Sequence, residues 1–217
     1  MTVTETLVEE LLVKSRHRVK TYGEVFTPSH MVQQMLDLVH EELESGPDFV
    51  DKTFLEPAAG DGNFLVAILR RKLQALTAHY PPESWPTESL FVLASIYGVE
   101  LLEDNYAEAK DALLEEFETF HTDHGVPCGP STDLMRAATF IADTNIICGN
   151  TLTGLDRGGE PIQFSWWNRI DGEPGMVLRE PFSLESLRVA GAFDFTVYER
   201  YEACRIDQVH TEVRAGA

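Results

Sequence analysis

The chain has 217 residues, 43% of them apolar and 10% aromatic, which is enough to bury one substantial core and short for two independent domains. Seventeen basic against 36 acidic residues give a net charge of −19, whereas a protein that grips nucleic acid by itself presents a basic face to the phosphates; this chain should bind DNA poorly on its own. No apolar run is long enough to cross a bilayer, and the start, MTVTETLVEELL, lacks the basic-then-apolar layout of a signal, so a cytoplasmic protein without a membrane partner is expected.

Residues 5–20 read as an amphipathic helix, with Leu7, Leu11 and Leu12 on one side, running into the basic stretch KSRHRVK at 14–20. Residues 1–22 therefore form an N-terminal helical arm. In YGEVFTPSHMVQQMLDLVHEEL, Thr27 or Ser29 can cap a helix, Pro28 suits its first turn, and Met31, Met35, Leu38 and Val39 recur at helical spacing. Residues 53–56 are a short buried strand, a glycine turn follows, and 64–80 are a helix. YPPESWPTES is a proline-rich surface loop, 90–96 an apolar helix-like segment, and IYGVEL a second strand ending at Glu100, with Asp104 as cap of the next helix.

The acidic run at 100–118 is either a solvated surface or a docking face for a basic partner. HTDHGVPCGPST is a loop, DLMRAATFIAD a short helix, and TNIICGNTL a third strand. This alternation predicts a mostly parallel sheet covered on both faces by helices over residues 23–155. Residues 156–217 break the rhythm: two strands joined by a turn at 171–175, a helix near 182–189, and a strand in FDFTVY. Trp166 and Trp167 should face opposite sides of their strand, one in the core and one exposed. Cys128, Cys148 and Cys204 are an odd number with no close pair, so no disulfide framework is expected. His121, His124 and Cys128 lack a fourth ligand, and no metal is expected.

The chemistry concentrates in EPAAGDGNF. Glycines between a strand and a helix let the backbone pass close to a ligand, and the helix start offers free N–H groups. Gly60-x-Gly62 with Phe64 in place of a third glycine fits a dinucleotide fingerprint badly, and a tight packing turn remains the alternative. Glu100, at the end of the second strand, can accept two hydrogen bonds from a ribose diol. Asn150, at the end of the third, can both donate to and accept from an adenine edge.

GEVFTP, FLEPAAGDGNFL, IYGVELLEDN and ICGNTL, in this order, resemble the four cofactor-binding motifs of the adenine-specific (N6) DNA methyltransferases of restriction–modification systems. The resemblance covers about residues 14–155 and implies a Rossmann-like fold that binds S-adenosylmethionine. It would lay Thr27 and Pro28 against the methionine end, make Glu56, Ala58, Gly60 and Gly62 the pocket floor, and make Phe64 an apolar wall. Glu100 would hold the ribose, Leu101 would pack on the adenine and Asn150 would bind its edge.

The family's catalytic Asn-Pro-Pro-Tyr motif, whose polar residue and carbonyl take hydrogen bonds from a flipped-out adenine, is missing. The only Pro-Pro, in YPPES, lies upstream of Glu100. In the matching position AFDFTVY leads to Tyr198, Glu199, Arg200 and Tyr201 without either proline. The catalytic residues are thus unassigned, and no target-recognition domain is recognisable. The resemblance implies a cofactor-binding subunit or fragment whose protein partner, a catalytic and target-recognition subunit or a second copy, brings it to DNA. The alternatives are a non-catalytic interaction or regulatory module that keeps the fold, an acidic decoy for a DNA-binding protein, and a methyltransferase with another acceptor.

Overall fold

The computed structural model describes residues 12–46, 48–187 and 201–215. Its first sheet has the spatial order β1 (Phe54–Glu56), β2 (Ile96–Glu100), β3 (Ile146–Asn150) and β4 (Leu155–Asp156). β1, β2 and β3 are parallel, with Phe54 opposite Ile96 and Gly98 opposite Ile146, and β4 turns back antiparallel. The fold is therefore α/β around a mixed, mostly parallel sheet, an arrangement compatible with a Rossmann-like protein.

The crossovers carry α3 (Asn63–His79) and α4 (Trp85–Ala94), then α5 (Glu103–Asp123) and α6 (Asp133–Asn145). These four helices pack on one another and share a core with Ile96 and Ile146, in which Leu65, Leu69, Leu113, Phe117 and Ile141 are buried. Each such side chain contributes about 1.5–3 kcal/mol on burial. The opposite face of β2, carrying Tyr97 and Val99, meets Phe164 and Phe182 instead. Those residues belong to a second, antiparallel sheet of β5 (Gln163–Arg169), β6 (Met176–Ser183) and β7 (Cys204–Arg205). The expectation of helices on both faces is corrected here: both crossovers step the same way across the sheet, and connections of one hand then put their helices on one side. Among the described residues the hairpin covers the other side.

Several local readings shift. The arm's described helix, α1 (Arg16–Tyr22), takes up the basic stretch from Arg16 to Lys20, with Ser15 as its N-cap; Leu7 and Leu11 lie outside the described residues. In α2 (Ser29–Asp37) the cap position falls on Pro28 without a side-chain bond, and the buried face is Val32 and Leu36, while Met31, Met35 and Leu38 are exposed. β1 is an edge strand rather than a buried one, since β2 is its only described neighbour and Leu55 is exposed. Helix α4 begins inside the expected proline loop, where Pro86 fits the first turn. Asp104 lies in the first turn of α5, whose cap position is Leu102. A 3₁₀ turn spans Leu184–Leu187, and FDFTVY lies outside the described residues.

Three buried polar groups join the layers. Tyr97 donates its hydroxyl to Ser165 O at 2.8 Å, tying β2 to β5. Asn145 donates to Ala94 O and Ile96 O and accepts from Trp167 Nε1. Trp167 is thus in the core, whereas Trp166 lies on the other side of the strand, half-buried and stacked on Phe182 rather than exposed. Lys72 Nζ donates to Val50 O, Lys52 O and Ser95 Oγ, fixing the segment before β1 to α3.

Burial pushes the Lys72 ammonium down to about 7, against the opposing pull of Asp51. The unfolded chain keeps that proton up to about pH 10, so between about pH 7 and that value it binds more protons than the folded chain and stability rises with pH. Lys72→Met is expected to flatten this rise in urea-unfolding midpoints. Equal slopes for the two proteins across the window would contradict it.

Candidate functional site

Because β1, β2 and β3 are parallel, their carboxyl ends open on one edge, where the following loops converge. They enclose a cavity of about 290 Å³. Its floor comes from Pro57, Ala58 and Gly60 after β1, its walls from Glu100 to Leu102 with Asn105 after β2, and from Gly149 to Leu152 around the end of β3. Residues 22–26, which lead from the arm towards α2, form its roof. Ala58, Gly60, Glu100, Leu101 and Asn150, separated by up to 92 positions in sequence, therefore meet in one crevice.

Glu100 is 6% exposed. Its Oε2 accepts from Gly60 N at 2.8 Å and its Oε1 from Leu102 N at 2.9 Å, with Asn105 Nδ2 at 3.5 Å. A carboxylate has about four lone-pair sites, so acceptor capacity remains on Oε2 beside the cavity. Asn150 is half engaged: its Oδ1 accepts from Leu152 N and Thr153 N, closing the turn after β3. The amide is thereby oriented with Nδ2 as its donor, which narrows the expected donor-and-acceptor role to donation. Leu101 and Leu152 are both exposed at the rim and supply apolar surface on either side.

Gly60 has φ +58°, and a Cβ there would meet the Phe26 ring at 3.3 Å, so the turn passes directly beneath the roof. The remaining expected residues fall elsewhere. Gly62, at φ +96°, would put a Cβ 2.9 Å from Ala109 Cα, so its missing side chain serves the packing of α5. Phe64 packs into the helical core rather than lining the crevice, because it lies on the inward face of α3. Glu56 Oε1 accepts from Ala58 N at 3.0 Å and steadies the turn from outside, and burial raises its pKa against that bond. Thr27 and Pro28 lie beyond the roof, where Thr27 O accepts from Asn63 Nδ2 at 3.5 Å.

Sequence reasoning passed over Glu24 and Asn105, both buried and both lining the crevice. Glu24 stands inside GEVFTP, where an acidic residue within a ligand motif was a signal that went unread; Asn105 gave no signal within its acidic run. That run, moreover, has basic partners within the chain, since Lys14 pairs with Asp104 and Glu108, and Arg70 with Glu116. Of the tetrapeptide position, Tyr198, Glu199 and Arg200 lie outside the described residues, and the Tyr201 ring lies 4.5 Å from the Arg179 guanidinium. His121 is bonded to Ser89 and Phe117 O within the core, and Cys128 is buried there.

A second hollow, of about 340 Å³, lies at the opposite ends of the strands beside Thr53 and Ser95. Its Arg169 is consumed by Asp51 and Glu88 and stacks 3.6 Å from the Phe91 ring, leaving no uncommitted charge to hold a ligand. The crevice over Gly60 is the better ligand site.

Fold and crevice together define an α/β protein with a cavity at the carboxyl ends of parallel strands. Comparison with known proteins gives no matching family model, no similar curated protein and no similar solved structure.

Proposed function

We propose that the chain binds S-adenosylmethionine in this crevice and is the cofactor-binding subunit or fragment of an adenine-specific DNA methyltransferase with a Rossmann-like fold. The observation that carries the reading is the meeting of the Gly60 turn, the Glu100 carboxylate and the Asn150 amide in one cavity. At about 290 Å³ the cavity is near the lower bound of ligand pockets, roughly 300 Å³, and its mouth is open beside Leu152.

In this reading Glu100 accepts from the ribose diol, Asn150 Nδ2 donates to a ring nitrogen, and Leu101 and Leu152 exclude water from the base faces. The bound cofactor supplies an electrophilic methyl group. Glu100, Asn150 and the Gly60 turn would hold the cofactor, and positioning of that kind contributes a large share of the rate. The partner supplies the Asn-Pro-Pro-Tyr type motif that grips the extruded adenine, and the basic surface that the −19 chain lacks. The purified chain should therefore transfer no labelled methyl group to DNA by itself. Efficient transfer without any partner contradicts this assignment.

One observation favours a second reading, a non-catalytic interaction module. Glu100 already accepts from two backbone N–H groups, as it would if it served only the turn. A module of that kind keeps its partner after Glu100→Ala, whereas a methyltransferase subunit loses most of its methyl transfer.

A further inference from the structure

The roof of the crevice is fastened by a network that reaches Glu100. Helix α1 ends at Gly23, whose φ of +71° turns the chain back so that Glu24 enters the crevice wall. Arg18 grips that carboxylate twice, Nε to Oε2 at 2.7 Å and Nη2 to Oε1 at 2.6 Å, and also pairs with Asp104 at the start of α5. Burial pushes the Glu24 carboxyl up, but the hydrogen bonds from Arg18 and Asn105 outweigh it and hold the group below its ordinary pKa.

Asn105 is the middle link. It is 1% exposed, and its Nδ2 donates to Glu24 Oε1 at 2.7 Å and lies 3.5 Å from Glu100 Oε1. Its Oδ1 accepts from Arg18 Nη2 at 3.1 Å. Arg18 therefore holds this amide from its oxygen side while the NH₂ group points at both carboxylates. Without the guanidinium the amide oxygen loses its donor and Glu24 its counter-charge, and two carboxylates share one NH₂ group across a buried gap.

We propose that Arg18 and Glu24 are positioning residues for Glu100, acting through Asn105, so that the N-terminal arm sets the affinity of the crevice for the ribose. This rests on the reading of the crevice as a S-adenosylmethionine site. Among the described residues the arm is fastened further by Lys14, which pairs with Asp104 and Glu108, and by the bond from Phe26 N to Leu12 O at 2.8 Å. Asp104 is half exposed, so the latch is open to screening by salt.

The test is binding of S-adenosylhomocysteine, whose thioether carries no charge, so that salt dependence reports the latch rather than attraction of a cation. The wild-type chain should lose affinity severalfold between about 0.02 and 0.5 M salt, over which the screening length falls to a few ångströms. Arg18→Ala should bind about tenfold more weakly at low salt, the scale of one charge-assisted hydrogen bond, and show little salt dependence. Arg18→Lys should recover only part of the loss, because an ammonium cannot reproduce the planar fork that spans Glu24, Asp104 and Asn105.

The unliganded variants should unfold within a few degrees of the wild type, and Glu24→Gln carries the same test if Arg18→Ala fails to fold. Tight, salt-dependent binding by these variants overturns this inference alone. A wild-type chain that binds neither this ligand nor S-adenosylmethionine overturns the cofactor reading and the inference with it.

Discussion

Glu100→Ala is expected to weaken S-adenosylmethionine binding by up to about 100-fold in equilibrium dialysis. A hydrogen bond to a charged group is worth about 1.5–3 kcal/mol, and the acceptor site left open on Oε2 takes one from the ribose diol, so a loss of roughly 10- to 100-fold is at stake. The substitution also strips the acceptor from Gly60 N and Leu102 N, which loosens the turn beneath the ligand. Glu100→Gln keeps one acceptor oxygen and the shape of the side chain, and should fall between, near tenfold. Alanine-variant affinity within threefold of the wild type would remove Glu100 from the ligand's contacts and leave it a turn residue.

Gly62→Ala should cost stability first. The residue sits at φ +96°, a conformation that strains any side chain by about 1–3 kcal/mol. Its Cβ would also meet the Ala109 backbone at 2.9 Å, and overpacking of that kind costs about 1–3 kcal/mol more. Together these predict a fall of roughly 10 °C in the unfolding midpoint of a chain this size. Gly60→Ala, at φ +58°, shares the backbone strain but should cost less, since its Cβ meets only the Phe26 ring, a side chain that can give by a few tenths of an ångström. A Gly62→Ala chain as stable as the wild type, with binding alone impaired, would return Gly62 to the pocket floor.

The difference between the two glycines explains how much of the site the sequence carried. Gly60, Glu100 and Asn150 were legible because each ends or follows a strand, and parallel strands bring such ends together whatever the intervening length. Gly62 and Phe64, expected in the pocket, lie against α5 and the helical core, since a glycine or an apolar residue next to such a turn has the same sequence signature whether it faces a ligand or the neighbouring helix. Asn105 was illegible for a different reason: its role depends on Arg18 and Glu24, brought to it only by the folded arm.

The fold divides in the same way. Helix and strand types followed from periodicity, as in β2 and α6. Which face of α2 is buried did not, because Met31, Met35 and Leu38 form as regular a stripe as Val32, Leu36 and Val39, and only the position of α3 selects between them. Likewise, nothing local in β2 announces that Tyr97 and Val99 meet a hairpin rather than a helix.

The most direct test is a calorimetric titration of S-adenosylmethionine into the folded wild-type chain. Saturable binding at one site per chain, lost in Glu100→Ala, is the result predicted. A folded chain that takes up no cofactor under conditions where micromolar binding gives measurable heat would contradict the account, and would leave the turn at Gly60 as a packing device.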